Sequence, residues 1–461
     1  MGIPKETLKE RILECLDAGN RVEIADIAEN NSPTDIAEEI KELPIETIWK
    51  ILQSMEVHRA GEVMGYFDID LEVELAENAP KEVLAPFISN MLSDEGADLL
   101  SELSTPLRNS LIPLMAKAKR EQLIKLSSYE EGTCGALMTA DYLTIGVEGT
   151  AKDALKYVQI EATDKEFVYY IYVLDSDEKL TGVISMKDLV LSHPMRKVRE
   201  LMFEEVLSVN PQDDQEIAID LIEEYDLMAI PVTSLEGKLL GVITHDDMMD
   251  AVRQEETEDI EKIMGIVGEH ESEGYLRKSA WQHFKDRIPW IGALSVFQLL
   301  TGFVISYFEG TLSSLVVLVI YMPQMVATGG NAGSQSSTVI VRALSNKELT
   351  PGLFFTAIYR EFVASLLMAL SLATIAFGKV FVLSGSSLLP QGVTIWQVSF
   401  LVSLALGVQV VTAMTIGALL PILAYKVKLD PAVVASPALT TIVDVSGMLI
   451  YFGLARLLIP L

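Results

Sequence analysis

The stretch from Met322 to Arg342 reads MPQMVATGGNAGSQSSTVIVR and lies inside a long apolar region. It combines a Gly-Gly-Asn sequence at residues 329–331 with an amide at Gln335 and several hydroxyls. Inside hydrocarbon, a break in a helix is tolerated only where the released backbone groups are buried in protein or face a watery cavity. The stretch therefore predicts a broken membrane helix at the wall of a pore or binding site, with close helix packing through small residues as the alternative.

A single acid, Asp444, stands in the apolar segment from Pro431 to the C-terminus. A carboxylate at the bilayer centre costs roughly 2.5–3.5 kcal/mol on insertion scales and indicates a functional site by default. Ser436 and Thr440 precede it on the same helix face, since residues four apart are neighbours there. The segment predicts a cation site; a protonated aspartic acid bonded to a neighbouring helix is the alternative.

Charge is distributed unevenly along the 461 residues, whose net charge is −30. From Ile288 onward five acids stand against seven bases, so the negative charge lies in the preceding part. This acidic part disfavours nucleic acid, which needs a basic footprint, and favours cations. The two cysteines give no disulfide framework or zinc spacing. The charged N-terminus lacks the apolar core of a signal peptide, which predicts a cytoplasmic location.

Four regions are predicted along the chain. They are a helical N-domain of short amphipathic helices at 1–130, an α/β repeat pair at 131–252, a long connecting helix at 253–287 and a membrane domain at 288–461. In the repeat, Leu137-Met138 recurs as Leu201-Met202, and Gly182-Val-Ile-Ser recurs as Gly241-Val-Ile-Thr. Each copy predicts strand, helix, strand, turn, strand and helix.

Five apolar segments in the membrane domain are near or above the length needed to cross a bilayer. They run over Ile288–Tyr307, Leu312–Leu344, Phe354–Leu383, Ile395–Tyr425 and Ala432–Leu458. Basic residues before the first segment and after the second and fourth mark the cytoplasmic side. The lipid bilayer is therefore a predicted partner, with the N-terminus in the cytoplasm and the C-terminus outside.

The repeat, with its twice-occurring Gly-Val-Ile-Ser/Thr-x-x-Asp, resembles a tandem pair of CBS (cystathionine-β-synthase) domains. The motif PxxxxxGGNxGxQ from Pro323 and the Pro-x-x-x-x-x-x-Asp that ends at Asp444 make the whole chain similar to the MgtE magnesium transporters or channels. The resemblance implies a multidomain membrane protein with an α-helical superhelical N-domain, a tandem α/β CBS pair, a long connecting helix and a five-helix transmembrane domain. It also implies a homodimer in a bacterial plasma membrane that mediates Mg²⁺ uptake.

Asp444 is expected to hold the transported Mg²⁺, an ion that keeps several waters and binds few carboxylates. A ring of acids selects cations, and one chain supplies one Asp444, so the ring requires a dimer. The residues expected to line the pore are Gly329, Gly330, Asn331, Gln335, Ser436 and Thr440. Relatives often have asparagine at the position of Ser436 and a smaller residue at that of Thr440, so the selectivity of this pore is open.

Acids outside the membrane are expected to form a regulatory Mg²⁺ sensor, as the resemblance implies. Crowded like charges repel until a divalent cation screens them, which gives a switch that closes the pore when cytoplasmic Mg²⁺ is plentiful. The expected ligands are Glu62, Asp94, Asp98, Asp214, Glu216, Glu223, Asp226, Asp247, Asp250, Glu255, Glu258, Asp259 and Asp430. For any single acid, a solvated surface is an equally good interpretation.

The CBS resemblance also raises ATP as a ligand. Tyr169 and Tyr170 are candidates to line a nucleotide cleft, and Asp188 to hold a ribose hydroxyl. Lys187 stands where ATP-binding relatives have arginine, and lysine lacks the planar fork of a guanidinium.

Two rival functions stay open. One is a broader divalent cation transporter for Co²⁺ or Mn²⁺, although the pore offers no histidine or cysteine to such metals. The other is a membrane-tethered CBS sensor of metal or nucleotide that transports nothing. No Walker motif or nucleophile–base pairing indicates an ATP-driven pump or an enzyme.

Overall fold

The computed structural model describes residues 7–162, 165, 167–266, 279–383, 389, 392–435 and 437–459. Within them the chain forms two compact units, which meet in sequence between Glu255 and Glu256. The first unit holds the helical domain and the repeat pair. The second holds the end of the connecting helix and the apolar helices.

Short helices fill the first 126 residues. In the described part they are α1 (Leu8–Asp17), α2 (Arg21–Asn30), α3 (Pro33–Ile40), α4 (Ile45–Leu52), α5 (Val57–Gly65), α6 (Ile69–Asn78), α7 (Lys81–Asn90), α8 (Ser93–Glu102), α9 (Thr105–Leu111) and α10 (Lys117–Leu126). Polar or proline starts fix several of them, such as the capping box of Thr7 with Glu10. Their apolar faces share one core, which confirms the predicted helical array.

The repeat pair follows with two small sheets. Its elements are α11 (Cys134–Leu137), β1 (Tyr142–Gly146), α12 (Ala151–Glu161), β2 (Phe167–Leu174), β3 (Leu180–Ser185), α13 (Met186–Leu191), α14 (Val198–Leu201), α15 (Gln215–Glu224), β4 (Ala229–Thr233), β5 (Leu239–Thr244) and α16 (His245–Met264). Strand β1 pairs parallel with β2, and β2–β3 and β4–β5 are antiparallel hairpins. The predicted first strand of the second copy is reduced to one parallel bridge between Val209 and Val232.

The two repeats interlock through the motifs that recur in the sequence. A Cβ added to Gly182 would lie 2.9 Å from the sulfur of Met202, and one added to Gly241 would lie 2.6 Å from that of Met138. The opening of each repeat therefore packs on the last strand of the other. The recurrence of Leu-Met and Gly-Val-Ile follows from this exchange, because each methionine needs a glycine opposite it.

The connecting helix differs from its prediction. Helix α16 begins at His245, directly after β5, and ends at Met264, where Gly265 adopts a φ of +69°. A single helix over 253–287 is therefore wrong at both ends, since a left-handed glycine terminates α16. Residues 267–278 lie outside the described part, and the next helix begins at Ala280.

Eight helices of the second unit carry the apolar segments that the structure describes. They are α17 (Ala280–Phe297), α18 (Leu299–Tyr307), α19 (Glu309–Ser314), α20 (Val317–Ser345), α21 (Phe354–Leu383), α22 (Ile395–Lys426), α23 (Pro431–Ala435) and α24 (Pro437–Leu458). In this part of the chain four stretches are long and apolar enough to cross a membrane: Ala280–Tyr307, Pro351–Leu383, Ile395–Lys426 and Ala438–Leu458.

The predicted count of five spans is not confirmed by these four. Helix α20 has 29 residues, which at ~1.5 Å per residue gives a length of roughly 43 Å. This exceeds the hydrocarbon thickness of about 30 Å. Helix α20 is therefore long enough to cross a bilayer, but its glycines, amides and hydroxyls make it less apolar than the four stretches.

Helix α22 is the buried centre of the second unit. It packs against α20, α21 and α24, and its Gly417 lies directly against the backbone carbonyl of Gly333 on α20. Close approach of two backbones through glycine is typical of membrane helices.

Gly417→Ala is expected to destabilise the protein by about 1–3 kcal/mol, the usual cost of overpacking. The new Cβ would collide with the Gly333 carbonyl oxygen, so α20 and α22 would have to separate. Thermal unfolding of the full chain in detergent measures this as a lower midpoint. Gly453→Ala is the matched control, because a Cβ there meets open space and should leave the midpoint unchanged or slightly higher.

Candidate functional site

Helix α20 runs without interruption through the Gly-Gly-Asn sequence. The predicted break is therefore wrong. Gly329 and Gly333 are buried and serve close packing: a Cβ on Gly333 would lie 3.2 Å from the Ala413 carbonyl and 3.4 Å from a methyl of Val443. For these two glycines the packing alternative holds, since α22 and α24 leave no room for a side chain.

The two amide side chains of this motif face outward. Asn331 and Gln335, four residues apart on one helix face, are exposed, and Gly330 is half-buried. Thr440 of α24 approaches this face, with its methyl 3.9 Å from a Cβ placed on Gly330. The two helices thus form one wall on which an amide-bearing stripe borders a threonine.

Asp444 lies on α24 one turn after Thr440 and is half-buried. No ion pair is recorded for Asp444 within the described ranges. Ser436 lies outside the described residues, at the junction between α23 and α24. Thr440 therefore lies beside Gly330 on this wall and Asp444 follows it by one turn of α24, while the place of Ser436 stays a prediction.

Two further sets of hydrogen bonds between the apolar helices were not predicted from the sequence. The hydroxyl of Ser336 on α20 donates to Glu361 of α21 at 2.8 Å and also contacts the Met414 carbonyl at 3.0 Å. The ammonium of Lys379 donates to the Gln324 side chain at 3.0 Å. Glu361 and Lys379 were detectable as charged residues within an apolar helix, a pattern that indicates function or pairing.

Acids of α8 and of the first turn of α16 influence one another within the first unit. Burial, followed by the charge of Asp94, raises the pKa of Asp98 to about 7 and that of Asp247 to about 7. Protein atoms crowd Asp98 closely, although water still reaches its side chain. Burial and the same neighbouring acids raise the pKa of Glu95 to about 9. The cluster therefore favours protons, or cations, at neutral pH.

Asp94 is the most constrained member of this cluster. Burial raises the pKa of its carboxyl, and its Oδ1 has no hydrogen-bond partner in the part of the chain that the structure describes. An unpaired carboxylate oxygen next to other acids is suited to a cation. Nevertheless, no group of three acids, histidines or cysteines in the described ranges is placed to hold one metal ion. Carboxylates would have to move to complete such a site.

Glu62 lies on α5 and borders the same cavity as Glu95 of this cluster. It pairs with Arg59 at 2.7 Å and with His58 at 3.5 Å. The cavity has a volume of about 690 Å³, and Lys119 and Asp141 also border it. Burial lowers the pKa of Lys119.

Most remaining predicted ligands are surface acids with local roles. Asp214 is the N-cap of α15, where it accepts the Glu216 amide at 2.9 Å. Asp250 pairs with Arg253 at 2.7 Å, and Glu255 accepts a hydrogen bond from Gln215 at 2.7 Å. The exposed acids among them are Asp214, Glu216, Glu223, Asp226 and Asp250.

A lysine links the connecting helix to the loop before α23. Lys262 bridges Glu258 at 2.6 Å and Asp430 at 3.2 Å, and all three side chains are partly buried. Burial and the charge of Asp430 raise the pKa of Asp259. The structure brings these acids close together, and an ammonium group connects two of them.

The four residues predicted for a nucleotide lie at the first repeat. Tyr169 is exposed on β2, with Tyr170 half-buried beside it. Asp188 lies in the first turn of α13, where the N-cap residue Ser185 donates to its carboxylate at 2.6 Å, and Lys187 precedes it. Neither residue of that pair is buried in a closed cleft.

The raised pKa values predict a pH-dependent response to Mg²⁺. Asp98 and Asp247 bind protons more tightly in the folded chain than at their ordinary pKa of 3.8, and Glu95 more tightly than at 4.5. The free energy of unfolding should therefore fall as pH rises from about 4 to about 7, and further to about 9. Mg²⁺ would replace the lost protons, so it should raise the unfolding midpoint much more at about pH 8.5 than at about pH 5.5. Equal shifts at both values of pH would contradict this.

Comparison with known families covers most of the chain. Residues 322–454 match the family described as MgtE, divalent cation transporter, and residues 31–132 match the MgtE intracellular N domain. Residues 134–192 and 198–254 each match the CBS domain.

Individual proteins extend the likeness to full length. The chain is 30% identical to the magnesium transporter MgtE of Thermus thermophilus, over 99% of both chains. It is 30% identical to the magnesium transporter MgtE of Bacillus subtilis, over 96% of both. The crystal structure of the soluble part of a magnesium transporter aligns with a TM-score of 0.52 and 24% identity, covering 54% of this chain and 98% of that one. That likeness supports the fold of the first unit.

Proposed function

Because the chain belongs to the MgtE family of divalent cation transporters, we propose that it is a homodimeric channel that admits Mg²⁺ across a bacterial plasma membrane. The observation that carries the proposal is the contact of α20 with α24 that places Thr440 beside Gly330, one turn from Asp444. Both helices are long enough to cross a bilayer.

A second copy of the chain explains the exposure of the amide-bearing stripe of α20. Asn331 and Gln335 are exposed in one chain, and an unsatisfied amide in hydrocarbon costs several kcal/mol. Pairing two copies across the stripe removes the amides from lipid and faces them to a shared path. Two Asp444 carboxylates then border that path, which meets the requirement for a cation-selective ring.

The donors on this wall favour Mg²⁺ over softer metals. Carboxylate, amide, hydroxyl and carbonyl oxygens suit a hard ion that retains its waters. The last histidine in the sequence is His283, and neither cysteine follows it. Co²⁺ and Mn²⁺, which accept imidazole more readily, would pass less well.

We further propose that cytoplasmic Mg²⁺ closes the path through the acids of α8 and α16. This finer proposal keeps the limits of the four regions at residues 130, 252 and 287, with a connecting region that is not one helix. It also keeps the cytoplasmic N-terminus and the external C-terminus. We favour Asp94, Asp98 and Asp247 as ligands, because the charge of Asp94 raises the pKa of the other two. At Glu258 and Asp430 the ammonium of Lys262 competes with Mg²⁺ for the same carboxylates. ATP is retained as a ligand to be tested by direct binding, with Tyr169 and Asp188 as its candidate contacts.

Mg²⁺ flux into proteoliposomes, with Mg²⁺ varied on the cytoplasmic side, tests the proposal. Influx that falls as cytoplasmic Mg²⁺ rises, beyond the loss of gradient, is the expected result. Influx insensitive to cytoplasmic Mg²⁺ would keep the channel and refute the gate. Faster flux of Co²⁺ or Mn²⁺ than of Mg²⁺ would favour the broader transporter, and no divalent flux from folded dimers would favour the membrane-tethered sensor.

A further inference from the structure

Gln409 is a fully buried amide where three helices meet. It lies on α22 and extends between Gly329 of α20 and Gly447 of α24, both of which it contacts. A Cβ on Gly329 would collide with the amide nitrogen and lie 3.1 Å from Cδ. A Cβ on Gly447 would also meet that nitrogen and lie 2.8 Å from Oε1. The two glycines therefore leave the space that this one side chain fills.

The amide nitrogen of Gln409 donates to the backbone carbonyl of Val443 at 2.9 Å. The hydroxyl of Ser446 contacts the same carbonyl at 3.0 Å. Two side chains thus fix one peptide group in the interior of α24, and Asp444 is the next residue. Because hydrogen bonds are strong where water is scarce, this peptide group is held more firmly than helix geometry alone requires.

The second polar atom of the amide shows why the position holds glutamine. Oε1 of Gln409 is buried and has no hydrogen-bond partner among the residues described. A buried acceptor without a partner is destabilising, and methionine would fill a similar volume without that penalty. What glutamine adds is the donor to Val443.

We infer that Gln409 is a positioning residue of the ion path: it fixes the Val443 carbonyl and thereby sets where the Asp444 carboxylate stands. The inference rests on the proposed function. Helix α22 is not part of the α20–α24 wall, and in this proposal it contributes to ion selection indirectly, through Gln409. Selection by a rigid ring depends on the placement of its carboxylates, so a released Asp444 should discriminate less between ions of different size.

Gln409→Met tests this in the full-length dimer. The half-saturating Mg²⁺ concentration should rise roughly tenfold, as expected for loss of one strong hydrogen bond, and the preference for Mg²⁺ over Ca²⁺ should fall. Maximal flux and the fraction of dimer should stay near wild type. Ser403→Ala is the matched control, because Ser403 is buried on the same helix and its hydroxyl donates to the Ser399 carbonyl of that helix; both flux parameters should be unchanged.

Ser446→Ala provides a second arm that leaves the packing of Gln409 intact. It removes the other donor to the Val443 carbonyl, so it should shift concentration and selectivity in the same direction by a smaller factor. If the wild type conducts Mg²⁺ and both variants have unchanged half-saturating concentration and selectivity, the role of Gln409 is refuted and the proposed function is not. If Gln409→Met fails to fold, an unchanged Ser446→Ala decides against the proposal. A wild-type dimer without Mg²⁺ flux would refute the proposed function and this inference together.

Discussion

Replacing Asp444 by asparagine is expected to abolish Mg²⁺ uptake while leaving the protein folded and dimeric. Asparagine keeps the size and the oxygen of the side chain and removes the charge, and in a dimer it removes two charges from one path. Loss of even about 3 kcal/mol of ion stabilisation lowers occupancy by roughly a hundredfold. Uptake into proteoliposomes measures the effect, and size-exclusion chromatography checks the dimer.

Glu361→Gln is the matched control for this variant. Glu361 is also an acid within a long apolar helix, but it is half-buried and accepts a hydrogen bond from Ser336. Glutamine can still accept that bond, so uptake should be retained. Normal uptake by Asp444→Asn would refute the channel wall, and an equal loss in Glu361→Gln would show that neither acid has a special position.

The sequence located Asp444 because a lone acid in an apolar helix is costly wherever it occurs. It did not show that Gly329 and Gly333 serve packing. That outcome depends on Gln409 and Gly417, which lie about 80 residues away and reach α20 only in the folded chain. Local sequence signals cannot distinguish a glycine that opens a helix from one that admits a neighbour. The exposed Asn331 and Gln335 are the part of the predicted wall that the helix geometry leaves free for a partner.

For the repeat pair, in contrast, local sequence signals were sufficient to predict most of the structure. Its hairpins and helices follow from alternation and turn residues, and the recurring Leu-Met and Gly-Val-Ile motifs reflect an exchange between the copies. The end of the connecting helix was mispredicted because a left-handed Gly265 terminates it within an otherwise helical pattern. The pairing of Lys262 with Glu258 has the i,i+4 spacing of a helical ion pair and could have been predicted. Its contact with Asp430 could not, because that residue lies far away in the sequence.

Neutralising the acids shared by α8 and α16 is expected to remove the response to cytoplasmic Mg²⁺. In the variant Asp94→Asn, Asp98→Asn, Asp247→Asn, influx should continue at cytoplasmic Mg²⁺ concentrations that close the wild type. The substitutions remove both the repulsion and the ligands through which a divalent ion draws the two elements together. The loss of the ligands has the larger effect. The attraction between a carboxylate and a bound Mg²⁺ exceeds the repulsion that remains between acids that are already partly protonated near neutral pH.

A variant with the same change in charge separates this mechanism from a general electrostatic effect. Glu29, Asp35 and Glu46 are exposed acids of the same helical domain outside the cluster. Neutralising these three should leave closure by Mg²⁺ as in the wild type, because charge spread over a solvated surface is screened within about 8–10 Å. If the cluster variant still closes, the acids of α8 and α16 are not the sensor. If both variants stay open, net charge rather than a site controls the path, and the unpaired Oδ1 atom of Asp94 has no part in gating.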